Sequence, residues 1–398
     1  MNEVIRLPRE VEFIIERLNA SGHRADVVGG PVRDFLLGIE PHDYDVTTDA
    51  RPERVMEVFS DSKIVPTGIK HGTVSLILGK NSYEITTYRI DGEYKESRHP
   101  ESVSFTDKLA DDLARRDFTV NAIAYNYADG ITDLYGGRED IDNRIIRAVG
   151  DPYERFREDA LRILRAIRFA ATLGFEIDGR TSDAILAEKD LLRKVSAERI
   201  YVEFSKMLSG KYALSVFDSY REVIAVFLPC ISNSPLPDCA RFERADYLTR
   251  LLSFFALSGA SGDDFLAAMT ALKTDRKLRD TGAAVLRSLN VYPCDSLVNV
   301  GIMLKNLGKE NSERTIKLEI LLGSKDETAR GMLSEYLELR LPYSVRDLAL
   351  DGADLVALGY EGRIVGDLLS ELLDGVIRAE IKNEREALIS YLRDKPCK

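Results

Sequence analysis

Tryptophan is absent from the 398 residues, proline is sparse at 13, and the four cysteines (Cys230, Cys239, Cys294 and Cys397) lie far apart. With no C-x-x-C pair, a zinc cluster and a disulfide framework are both excluded, which leaves structural thiols. Histidine is confined as well as scarce. His23, His42, His71 and His99 all fall in the first quarter of the chain, so a histidine-rich metallohydrolase centre in the rest is excluded by inventory. The dipeptide His42-Asp43 is therefore not a phosphohydrolase metal motif. Runs of about 18 consecutive apolar residues are missing too, and no segment is expected to span a membrane. The N-terminal stretch MNEVIRLPREVEFIIERL interrupts its apolar residues with acids and lacks the core of a signal peptide. It reads as an amphipathic helix, and the cytoplasm is the expected location.

Net positive charge is also lacking: 55 basic against 66 acidic side chains give −11. That lowers the expectation of a nucleic-acid partner, because phosphate contacts need Lys and Arg. The deficit is uneven, however, and residues 151–220 hold 12 of each sign. Exposed charges more than about 10 Å apart are screened, so a local basic stripe stays competent on an acidic protein.

What is present divides the chain in two. Ala25–Val28 is a short apolar run, Asp43–Thr47 alternates, and Gly72–Leu78, Tyr83–Tyr88 and Ala122–Tyr127 are rich in β-branched and aromatic residues. Turn signals at Gly79-Lys80-Asn81 and Ala128-Asp129-Gly130 separate them. After Gly150-Asp151-Pro152, helical periodicity takes over, with the clearest break at Pro229–Pro237. The expected class is α+β: an N-terminal mixed sheet with helices, then an all-helical C-terminal half.

The segment VVGGPVRDFLLGIEPHDYDVTT carries the most chemistry. Residues i and i+2 of a strand share a face, so Asp43 and Asp45 are expected to present their carboxylates together. Such a pair repels unless a cation lies between, and hard oxygen ligands suit Mg2+ with substrate phosphates completing its shell. Upstream, Gly29-Gly30 lets backbone approach a phosphate, Pro31 fits a first helical position, and Arg33 is expected to face the same anion.

That order of residues, G-G-x-x-R-D-x-x-L-G then D-x-D, resembles the nucleotidyltransferase signature of the class II tRNA CCA-adding enzymes and bacterial poly(A) polymerases. Arg115-Arg116-Asp117-Phe118-Thr119-Val120-Asn121-Ala122 resembles the family's second motif, linked to recognition of ribose and phosphates. GDPYERFREDALRILRAIRF (150–169) resembles its hinge and nucleotide-reading helix, and Ser196–Ile200 a later structural motif. The resemblance implies a polymerase beta-like catalytic sheet of the bacterial CCA-adding type without an HD domain. It implies catalysis and metal binding at Asp43 and Asp45, and nucleotide binding at Gly29, Gly30, Arg33, Arg115, Arg116, Asp117, Asn121, Asp159, Arg162, Arg165 and Arg168. Asp159, three residues before Arg162 on what reads as one helix, is expected beside it, an acceptor and a donor able to read a base edge.

The implied organisation is a head with the metal site at 1–148, a base-reading neck at 149–210, a helical body at 211–295 and a tRNA-binding tail at 296–398. The implied reaction is template-independent addition of CCA to the tRNA 3′ end from CTP and ATP, with magnesium and release of pyrophosphate. A homodimer is compatible with this reading. The polar stretch 89–104 matches the family's flexible loop, which favours full CCA or A addition over CC addition. The alternatives left open are an A-adding or CC-adding enzyme, a poly(A) polymerase, transfer to a small molecule or protein, and a non-catalytic RNA-binding scaffold. In the tail, Arg378, Lys382, Arg385 and Arg393 are weak candidates for phosphate contacts.

Overall fold

The computed structural model describes residues 5–41, 43–91, 94–95, 99–100 and 103–393, which fall into two compact units, 1–232 and 233–398. The division lies inside the Pro229–Pro237 break and within the segment expected as the body.

The first unit opens with helix α1 (Arg9–Ala20), whose Val11, Ile14, Ile15 and Leu18 at helical spacing are all buried. Strand β1 (Ala25–Val28), helix α2 (Gly30–Leu36), strand β2 (Asp45–Thr48) and helix α3 (Pro52–Val58) follow, then β3 (Lys63–Gly68), β4 (Thr73–Leu78) and β5 (Asn81–Thr87). Two short ladders come next: β6 (Arg89–Asp91) with β9 (Val103–Phe105), and β7 (Tyr94–Lys95) with β8 (His99–Pro100). The polar stretch 89–104 is thus extended where it is described, since backbone pairing needs no alternation of side chains. Its residues 92, 93, 96–98, 101 and 102 lie outside the described residues, as does His42. Helix α4 (Leu109–Ala114), β10 (Ile123–Asn126), β11 (Gly130–Asp133), α5 (Gly137–Asp142) and β12 (Ile145–Ile146) complete the head.

Seven of these strands form one mixed sheet in the order β11-β10-β1-β2-β5-β4-β3, with β2 and β5 parallel and their neighbours antiparallel. Alternation sorts its faces. Val27, Val46, Ile85 and Val74 lie in register on one face and are buried at 1% exposure or less, and α1 and α3 contact these strands. Asp45, Thr47, Glu84, Thr86 and Thr73 take the opposite, polar face. There α4 seals part of the surface, packing Leu109 and Leu113 around Val28, Tyr88 and Ala124.

Beyond Asp151, whose side chain accepts from the Tyr153 amide and starts α6 (Pro152–Glu158), the unit is helical except for the two-residue strand β13 (Glu176–Ile177). Helices α7 (Leu161–Leu173) and α9 (Ala197–Ser209) pack together, with α8 (Gly179–Glu188) between them in sequence. The second unit is all helix in its described residues. Its long helix Leu297–Leu322 breaks at Gly308, where φ 72° suits glycine, and its core gathers Val300, Met303, Leu304, Ile316, Leu333 and Tyr336. Among the described residues no helix is long and apolar enough to cross a membrane.

Candidate active site

The polar face of the sheet is the floor of the site. Parallel pairing sets Asp45 opposite Glu84 and Thr47 opposite Thr86, so two carboxylates and two hydroxyls share one face. Strand β2 begins only at Asp45. Asp43 lies in the segment leading into it, a correction to the expected alternating run from Asp43. On one side the neighbouring β1 has already turned into α2 at Gly30, so no antiparallel strand runs opposite Asp43. The two acids still act on one another. Surrounding protein raises the Asp45 carboxyl above its ordinary range, Arg116 pulls it down, and Asp43 pushes it up. Glu84 is raised in the same way, by burial and then by Asp45 and Asp43. Crowded acids of this kind are what a divalent cation relieves, so the donor set fits magnesium. Among the described residues no three His, Cys, Asp or Glu side chains close a cage on their own. An ion at Asp43 and Asp45 would complete its shell with phosphate oxygens and water.

Arg115 and Arg116 leave the C-terminal end of α4 and stand at the centre of the site. One hollow of about 240 Å³ is lined by Asp45, Thr47, Glu84 and Thr86 together with both arginines. A second, of about 270 Å³, is lined by the same two arginines with Asp117, Asp159, Arg162 and Arg199. The arginine pair joins a carboxylate end to a mixed-charge end. Arg116 presses against Gly29, which sits at φ +80° and where a Cβ would meet Arg116 Nη1 at 3.0 Å. Arg116 Nε is buried with no hydrogen-bond partner among the described residues. A cavity of about 610 Å³ in the second unit is also lined by charges, among them Arg241, Arg244, Asp246, Asp326 and Arg330, and its residues match none of the motifs.

At the far end the structure departs from expectation in three places. First, Asp159 is extended (φ −137°, ψ 102°) and ends α6, so it does not share a helix with Arg162. Its Oδ1 accepts from the Leu161 amide at 3.1 Å, and its Oδ2 accepts from Arg199 Nη2 at 2.8 Å. Periodicity alone could not reveal this break, because an aspartate can cap the following helix instead of continuing the previous one. Second, Arg162 is 8% exposed and spends its guanidinium on Glu158 Oε2 and the carbonyls of Arg155 and Arg115. Third, Arg33 does not face open space. It donates to Asp34 and, at 2.7 Å, to Asn121 Oδ1, with its guanidinium 5.2 Å from the Phe169 ring centre.

The arginine stripe of α7 is likewise neutralised rather than free. Arg165 grips Asp117 at 2.6 Å, and Arg168 meets Glu203 at 2.9 Å. Burial alone would raise the Asp117 carboxyl, but Arg165, with help from Asn121, brings it down to about 2. One chain of contacts therefore runs from Arg33 through Asn121, Asp117 and Arg165 to Glu203.

Glu84, Asp112, Arg199 and Glu203 belong to the site and escaped the sequence reading. For Asp112 a signal existed in its i, i+3 spacing to Arg115. For the other three, only the fold makes them neighbours. In the second unit Arg385 is paired with Asp354, and no partner cluster singles out Arg378, Lys382 or Arg393.

Comparison with known proteins places the chain in a family. A family model described as the Poly A polymerase head domain matches residues 25–147, and one described as the probable RNA and SrmB-binding site of polymerase A matches 174–232. The chain is 34% identical to the CCA-adding enzyme of Lactobacillus helveticus, covering 96% of each, and 35% identical to that of Enterococcus faecalis, covering 98% of this chain and 97% of the relative. The crystal structure of the Bacillus stearothermophilus CCA-adding enzyme in complex with CTP aligns with a TM-score of 0.82 at 32% identity, over 97% of this chain and 96% of that one. The Thermotoga maritima CCA-adding enzyme complexed with tRNA shares the fold at TM-score 0.69 and 22% identity, over 98% of this chain and 96% of that one. Identity at the level of the first three, along nearly the whole of both lengths, makes the chain a member of the CCA-adding enzymes, a family of tRNA nucleotidyltransferases.

Proposed function

We propose that the chain adds C, C and A in turn to the 3′ end of tRNA, using CTP and ATP and releasing pyrophosphate, with no nucleic-acid template. The observation that carries this reading is the pair of hollows meeting at Arg115 and Arg116. A triphosphate held between the two arginines would put its α-phosphate at the Asp45 end and its base at the Asp159 end. The tRNA 3′-hydroxyl then attacks the α-phosphate in line, and the β- and γ-phosphates depart together. Magnesium held by Asp43 and Asp45 would supply Lewis-acid activation of that hydroxyl and neutralise charge on the leaving group.

The chain's own residues do the positioning. A Cβ at Gly30 would meet only Arg33 Nη2, at 3.7 Å, so packing alone does not demand glycine there, and an approaching phosphate would. Asp117, Asn121 and Arg33 form the wall beside the ribose, with Arg165 and Arg168 braced behind it. Asp159 accepts from the exocyclic amino group that cytosine and adenine both carry, and Arg162 keeps its backbone in place. We retain the division into head 1–148, neck 149–210, body 211–295 and tail 296–398, with the tail taking the acceptor arm and the cytoplasm as the site of action.

The test is incorporation into tRNA that lacks its terminal CCA. With CTP alone two residues should be added, with ATP alone none, and with both the full CCA. Addition of AMP only, and only after CC is present, would replace this reading with an A-adding enzyme. Chelation of divalent ions should stop the reaction, and magnesium should restore it.

A further inference from the structure

We propose that Asp112 is a positioning residue that ties the two triphosphate-clamping arginines to the strand carrying Asp45; the proposal rests on the functional reading above. Asp112 is fully buried. It is fixed from below, because Leu109 and Leu113 on the same short helix are packed into the apolar cluster around Val28 and Tyr88. Both of its oxygens are committed to the site. Oδ1 accepts from Arg115 Nε at 2.9 Å and Nη2 at 2.7 Å, while Oδ2 accepts from Arg116 Nη2 at 3.3 Å and from Thr47 Oγ1 at 3.3 Å. Thr47 stands two residues after Asp45 on the same face of β2, and its single hydroxyl hydrogen is shared between Asp112 Oδ2 and the Thr86 carbonyl, 3.1 Å away. One carboxylate thus joins the arginine pair to the metal-binding strand, and Thr47 in turn reaches the parallel strand that brings Glu84.

A buried charge is costly to desolvate, and an apolar side chain would fill the same space more cheaply. Its worth here lies in geometry and in sign. Two guanidiniums beside one carboxylate keep one positive charge in excess at the arginine pair, set against Asp45 and Glu84 in the same hollow. The shared carboxylate also stops the guanidiniums from repelling one another and rotating. Freed from Asp112, they would bind the nucleotide at least as tightly but in poses displaced from the attacking hydroxyl.

That gives a signature distinct from loss of folding. Asp112→Asn in the full chain, assayed with CTP and tRNA lacking CCA, should lower kcat roughly tenfold to a hundredfold, the scale expected for small misplacement of reacting groups. KM for CTP should stay the same or fall. Asp112→Glu, which returns the carboxylate on a longer arm, should recover part of kcat. Thr47→Val, which removes the tie to β2 along with the contact to the Thr86 carbonyl and leaves both arginine contacts of Asp112 in place, should lower kcat by a smaller factor and serves if Asp112→Asn does not fold. Unchanged kcat in Asp112→Asn, a rise in KM that accounts for the loss, or a fall in titratable active sites matching the fall in rate would each overturn the proposal. The Asp45→Ala variant separates the two failures. If it retains incorporation, the functional reading is wrong, whereas wild-type behaviour of Asp112→Asn beside an inactive Asp45→Ala removes only this inference.

Discussion

The two ends of the cleft are held in place by different forces. At the carboxylate end, Asp45 and Glu84 are fixed by the ladder between β2 and β5, and a slip of one residue in either strand would turn its carboxylate to the other face. At the base end, no ladder reaches. Asp159 sits in a break between helices, and its position depends on one cap contact and one ion pair to Arg199. A ladder gives a single answer, which suits chemistry that is the same for every nucleotide added. Exchangeable side-chain pairs allow small shifts, which suits a site that has to accept two different bases.

The comparison breaks most sharply at Asp45. Asp45→Ala should cost about a thousandfold in single-turnover incorporation of both CMP and AMP, because the lost group acts only where charge develops. Asp159→Ala should instead act unequally. It should remove about 1–3 kcal/mol of discrimination, read as kcat/KM for CTP against UTP, while leaving the chemical step able to run. Equal losses for all nucleotides in Asp159→Ala would erase the distinction between the two ends.

The same contrast explains what the sequence discloses. Strand β1 coincides with the expected run Ala25–Val28, and β4 and β5 follow their β-branched stretches, because period-two alternation is a local property. The pairing of β2 with β5 is not local, so Glu84 looked like any exposed acid in YEITTY. Asp43, Asp45, Arg115 and Arg116 were legible as motif residues. Arg199, which holds Asp159, and Glu203, which holds Arg165 and Arg168, were not, since each lies roughly 40 residues from the group it holds and ion pairs leave no spacing signal across such gaps. Periodicity misleads at Asp159, because α6 and α7 carry compatible patterns on either side of a break.

A third test concerns the ion pair at the base end alone. In the fold Asp117 titrates at about 2, below its ordinary value of 3.8, because Arg165 holds its charged form. The stabilisation is fully present above about pH 4 and is lost as pH falls toward 2, since the unfolded chain binds the proton first. It amounts to about 2 kcal/mol. Urea titrations of the wild type from pH 5 to 2.5 should show a steeper loss of midpoint than Asp117→Asn, which starts lower and lacks this component. Parallel curves would mean that Asp117 contributes packing and not charge.

The smallest effect belongs to Gly29, where the two ends are joined. Its φ of +80° with ψ −127° lies outside the left-handed helical region and costs a side-chain-bearing residue about 2–3 kcal/mol, offset by up to about 1 kcal/mol from the lower entropy of alanine in the unfolded chain. The net destabilisation of Gly29→Ala should therefore be about 1–2 kcal/mol. The new methyl would lie 3.0 Å from Arg116 Nη1, tighter than ordinary contact, and only the guanidinium can yield. Any yielding moves one of the two arginines shared by both hollows. Gly29→Ala should thus lower incorporation of CMP and AMP by the same factor, leave discrimination against UTP intact, and shift the thermal midpoint only slightly. A change in base preference without a change in rate would show that Arg116 serves the base end rather than the junction.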